Sequence, residues 1–122
     1  MVTLLVTLAA GLGAVCRYAV DEAVRRRTTR EFPVGTLTVN VSGSLLLGLL
    51  VGLTSHHGLD TSTSIVLGAG FTGGYTTLST WAWESLALAE RGAAGQAIVY
   101  VVGSLGLGML AGAAGLGLAL LG

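Results

Sequence analysis

A handful of polar side chains stand inside otherwise apolar stretches, at spacings that could do chemistry. Tyr100 and Ser104 are four residues apart, so on a helix their hydroxyls share one face and lie one turn from each other. Asn40 carries an amide with two donors in a stretch without charge. Thr77, Ser79, Thr80, Trp81, Trp83 and Glu84 crowd a third segment, where Trp83 suits an interfacial anchor as well as a lining position. The chain has no lysine, and Arg17 is the one arginine inside an apolar run. Neutral donors would therefore carry any anion coordination. Such a track suits an anion giving up its water, and the chain is read as a binding or conducting protein rather than an enzyme.

The elements that must position these groups are membrane helices. Of 122 residues, 52% are apolar and 10% charged, with a mean hydropathy of +0.82. A soluble core of that size cannot hide such a surplus, whereas a lipid bilayer solvates it. Net charge is zero, and the charges cluster between Arg17 and Glu31, which bears on topology and gives no sign of nucleic-acid binding. The single cysteine, Cys16, excludes an internal disulfide and reads as a small apolar residue. The apolar run from Val2 has neither a basic leader nor a small-residue cleavage site, so it is expected to be a retained helix.

Residues 1–122 read as one all-α domain of four transmembrane helices. The first is expected from Val2 to about Val24, followed by a basic loop from Arg25 to Phe32, with Pro33 in the first turn of the second helix. The second runs to about Thr54. Ser55 to Ser62 forms a polar loop whose His56 and His57 are expected to be solvated rather than metal ligands. The third extends from Thr63 to about Ala89, longer than a straight crossing needs. Gly68, Gly70, Gly73 and Gly74 precede Tyr75, Thr76 and Thr77, and predict either a helix broken at Gly73 to Thr77 or a continuous helix packed through its glycines. Glu90, Arg91, Gly92 and Gly95 form a turn, and Ala97 to Leu121 the fourth helix. Ser44, Gly48 and Gly52, like Gly108 and Gly112, recur every four residues, giving small faces for close helix packing. In the second helix Thr36, Thr38, Asn40, Ser42 and Ser44 scatter around the axis, and Asn40 is either a coordinating amide or an interhelical hydrogen bond.

Gly13, Arg17 and Tyr18, the run from Gly35 through Asn40 to Gly43 (GTLTVNVSG) and the run from Gly70 to Thr80 (GFTGGYTTLST), with Tyr100 and Ser104, resemble the CrcB (Fluc) fluoride channel family. The resemblance covers nearly the whole chain. It implies an antiparallel dimer with two pores, passive fluoride efflux, and a structural sodium ion between the third helices that is not transported. Asn40, Tyr100 and Ser104 would then line the fluoride path, and Gly73 and Thr76 would offer backbone carbonyls to sodium. Leu78 and Trp81 stand where the family has phenylalanines whose ring edges contact fluoride; Leu78 has no such edge, while Trp81 keeps one and adds an indole N–H. Arg17 and Glu84 are vestibule or structural charges.

Two other functions fit the same residues. A non-conducting subunit supporting a conducting partner is suggested by Leu78, and a proton-coupled exporter by the acid Glu84. Loop charge adds an orientation: both termini and the Ser55–Ser62 loop carry no lysine or arginine, whereas Arg25, Arg26, Arg27, Arg30 and Arg91 lie on the other side. That bias predicts a multi-pass protein of a bacterial cytoplasmic membrane with its termini outside. An antiparallel homodimer needs insertion both ways, so the bias also predicts a partner of the same fold with the opposite charges.

Overall fold

The computed structural model describes residues 1–28 and 32–121. Among these residues every regular element is helical. α1 spans Val2–Arg27 and α2 Val34–His56. A segmented helical run follows where the sequence is read as a third crossing: α3 (Thr61–Ile65), a π-helical stretch (Val66–Thr72), α4 (Gly73–Tyr75), a break, and α5 (Ser79–Glu90). α6 closes the chain over Ala94–Leu121. α1, α2 and α6 are each long and apolar enough to cross a membrane. Their outward residues, such as Leu8 and Leu12 on α1 or Val102 and Leu110 on α6, are exposed, as side chains facing lipid would be.

The expected helices are present with shifted ends. α1 runs to Arg27, so part of the expected basic loop is helix, and Arg25 and Arg26 pair one turn back with Asp21 and Glu22. Thr29, Arg30 and Glu31 of that loop lie outside the described residues. Pro33 is the residue just before α2 rather than inside its first turn, its carbonyl accepting from Leu37 N–H at 3.2 Å. The third crossing begins at Thr61, because the Asp60 carboxylate accepts from Thr63 N–H at 3.2 Å. α6 starts three residues before the expected Ala97; Gly92, at φ +79°, makes the turn, and Gly95 is helical.

Two seams hold the bundle. α2 and α6 meet most extensively, along small residues: a side chain on Gly48 would collide with the Gly112 carbonyl, and one on Gly115 with Leu45 O and Leu49 N. α1 lies on the π-helical stretch and α4, where Gly70 and Gly74 face the Val6 to Ala10 backbone and Gly13 faces Phe71 O. At one end Tyr100, Leu88 and Ala97 form a buried cluster, with the Phe32 ring edge-on to Tyr100 at 5.4 Å.

Candidate functional site

The third crossing breaks at Thr76–Leu78, later than the glycines alone indicate. Gly68 to Gly74 stay helical, Gly70 and Gly74 packing closely on α1; the break is made by competition for hydrogen bonds. Asn40 reaches across from α2 and closes a two-bond ring on Thr77: its Nδ2 donates to Thr77 O at 2.9 Å, and its Oδ1 accepts from Thr77 N–H at 2.9 Å. Thr77 Oγ1 then accepts from Thr80 N–H at 3.2 Å and starts α5. In an unbroken helix those N–H groups would go to the Gly73 and Thr76 carbonyls. Both carbonyls thus lose their helical donors. Gly43 makes room, since a side chain there would strike the Thr76 methyl.

Asn40 also lines the cleft that brings most of the candidate residues together. A cavity of about 360 Å³ is bounded by Asn40, Ser44, Leu78, Trp81, Ser104 and Met109 among others, with no charged residue in its wall. A second, of about 270 Å³, lies between Asn40, Gly43, Thr72, Thr76 and Leu78. Ser44 Oγ is engaged with Asn40 O at 2.9 Å. Trp81 Nε1 and Ser104 Oγ are buried without an acceptor.

Tyr100 is not part of that wall. It is 1% exposed and donates its hydroxyl to Glu84 Oε1 at 3.3 Å. Glu84 Oε2 in turn lies 3.9 Å from Arg25, which also pairs with Asp21 at 3.1 Å. Asp21, Arg25, Trp83, Glu84 and Arg91 border a separate cavity of about 410 Å³ at the arginine-bearing end. Trp83 is 70% exposed there. Glu84 therefore links this polar vestibule to the buried hydroxyl, and Arg17 sits half-buried on α1 outside all three cavities. Of the two histidines expected in a solvated loop, His56 is exposed but ends α2, and His57 Nε2 meets Ala119 O near the end of α6; among the described residues no three or more His, Cys, Asp or Glu cluster.

Residues 4–116 match the protein family described as "CrcB-like protein, Camphor Resistance (CrcB)". The chain is 45% identical over 118 residues to the "Fluoride-specific ion channel FluC 1" of Leifsonia xyli subsp. xyli, covering 97% of this chain and 85% of that one. It is 45% identical over 108 residues to the "Fluoride-specific ion channel FluC" of a Methylobacterium species, covering 88% and 86%. With the "Fluoride-specific ion channel FluC 2" of Mycobacterium tuberculosis it shares 44% over 106 residues, covering 87% and 81%. The chain belongs to the CrcB family.

As a CrcB-family chain it is a multi-pass membrane protein. Two structural partners escaped the sequence reading. Thr77, noted there as one hydroxyl among several and as the end of the expected break, both receives the Asn40 amide and caps α5 through its Oγ1. Ser42 and Tyr75 join α2 to α4 through their hydroxyls at 2.8 Å, a pairing that no spacing along the chain reveals.

Proposed function

We propose that the chain is a subunit of a fluoride-selective channel that lowers cytoplasmic fluoride by passive efflux. The observation that carries this is Asn40 at the break. Its Oδ1 and one N–H are spent on Thr77, and the amide still borders a charge-free cleft where its second N–H is available to an anion. Relatives sharing 45% identity are named fluoride-specific channels, which gives the anion. A small, strongly hydrated ion needs close donors in place of water, and an uncharged wall binds it weakly enough to let it leave.

The working unit is an antiparallel dimer with a structural sodium ion at its centre. The residues present fit that ion: Gly73 and Thr76 have carbonyls released from helical bonding, Gly73 is exposed, and a cation of this kind takes hard oxygen ligands. When bound, sodium would supply a positive charge for the partial negative charge of those carbonyl oxygens; the chain's own part is to hold the break open through Asn40 and Thr77. The loop charges favour one orientation with the termini outside, and hence a related partner of opposite bias. Leu78, 75% exposed and without a ring edge, favours a second reading in which this subunit supports a conducting partner. The exporter reading loses ground, since Glu84 is held by Tyr100 and lies near Arg25 rather than facing a substrate cavity alone.

The experiment is fluoride efflux from liposomes, with this chain alone and with a related subunit from the same cell, in sodium and in a bulky organic cation. Fluoride flux without chloride flux, lost on prolonged sodium removal, is expected. Flux only with the partner selects a heterodimer over a homodimer. Absence of flux in every combination defeats the channel reading.

A further inference from the structure

α2 grips the end of α4 and the start of the break at three consecutive residues. Thr77 is held by the Asn40 amide. Thr76 lays its methyl over Gly43, which has no side chain to obstruct it. Tyr75 bonds its hydroxyl to Ser42 Oγ at 2.8 Å. Ser42 donates its single proton to Val39 O at 3.1 Å, so the tyrosine is the donor and is anchored through Ser42 to the α2 backbone. The ring needs no hydroxyl to pack: it stacks on Phe71 with centroids 5.9 Å apart, and phenylalanine would do the same. From the other side α1 closes on the Tyr75 backbone, where a side chain on Gly13 would lie 2.9 Å from the Tyr75 nitrogen. Thr76 is extended (φ −81°, ψ 161°) between two anchored neighbours. Its N–H and Oγ1 both go to Thr72 O at 2.9 Å, which leaves its carbonyl as the group the grip presents. With Thr77 alone anchored, the end of α4 could fray and carry that carbonyl with it.

We propose that the Tyr75–Ser42 bond is a positioning device for the Thr76 carbonyl: by pinning the end of α4 to α2 it sets how tightly the break holds a cation, with Tyr75 and Ser42 acting through Thr76 as positioning residues. This rests on the sodium reading above. The test uses full-length protein in detergent, dialysed at length against a bulky organic cation and then titrated with sodium chloride at constant ionic strength. Its melting temperature should climb once sodium exceeds the dissociation constant, and the sodium concentration at which the climb sets in is the readout. Tyr75→Phe keeps the ring and should raise that onset about fivefold, the scale of one hydrogen bond. Ser42→Ala should raise it as far, and the double variant no further, because the same bond is lost in all three. A bond that only braces the fold would lower the melting temperature without sodium and leave the onset in place; that result in Tyr75→Phe overturns the proposal. So does a double variant showing the summed shift of the two singles. A wild-type melting temperature indifferent to sodium overturns the sodium reading and the positioning role together, and fluoride efflux from liposomes then shows separately whether the channel reading stands.

Discussion

The α2–α6 pair and the third crossing are both rich in glycine, yet one is two unbroken helices and the other is four helical pieces with a break before the last. Along α2–α6 each glycine that matters, such as Gly48 or Gly115, meets a backbone across the seam, and both helices keep their own hydrogen bonds. In the third crossing Gly70 and Gly74 do the same against α1, and the chain there stays helical too. The break comes only where a side chain offers the backbone a better bargain. Glycine therefore permits close approach in both regions, and it is Asn40 and Thr77 that open the helix.

Removing the Asn40 amide should have the largest effect on the third crossing. Asn40→Leu leaves Thr77 N–H and C=O unpaired away from water, and should cost about 4 kcal/mol, the sum of two orphaned groups at 1–3 kcal/mol each. Thermal unfolding of the purified protein in detergent reads the loss. Asn40→Asp keeps an acceptor for the Thr77 N–H but sets an oxygen against Thr77 O and has no second N–H for an anion. It should abolish fluoride flux; wild-type flux in an assembled Asn40→Asp protein removes Asn40 from the path.

A smaller effect belongs to the continuous seam. Gly115→Ala puts a methyl into Leu45 O and Leu49 N, so α6 must back away from α2, costing about 2 kcal/mol. Gly117→Ala, two residues on with open space around it, should change stability by less than about 1 kcal/mol and in the stabilising direction. Equal melting shifts for the two would mean that the seam tolerates separation and that packing does not explain its glycines.

The sequence makes the membrane helices, the small-residue faces and the presence of a break legible, because apolar length and four-residue spacing are local properties of the chain. The position of the break is not local. It depends on an amide 37 residues away reaching Thr77, so a reading based on Gly73 to Thr77 places it early. Asn40, Trp81, Ser104 and Leu78 meet in one cleft, but Tyr100, one turn before Ser104 on α6, turns its hydroxyl to Glu84 instead. Spacing puts the two hydroxyls on one face without saying that the neighbouring α5 carries an acceptor for only the first of them.

The smallest expected effect tests whether the second half of the third crossing starts on its own account. Helices begin well when a side-chain oxygen takes an N–H that has no partner in the first turn. The crossing uses this twice: Asp60 receives Thr63 N–H ahead of α3, and Thr77 receives Thr80 N–H ahead of α5. Asp60 is exposed, where water can replace it, whereas Thr77 is buried, where water has little access. Thr77→Ala should therefore cost about 1 kcal/mol, and Thr77→Ser should restore most of it. Asp60→Ala should cost less than Thr77→Ala. Hydrogen exchange at the Thr80 amide is the direct readout: it should quicken in Thr77→Ala and return in Thr77→Ser. Unchanged protection in Thr77→Ala would mean that Thr80 N–H has gone back to the Thr76 carbonyl. The break would then be able to heal, and Asn40 alone would be holding it open.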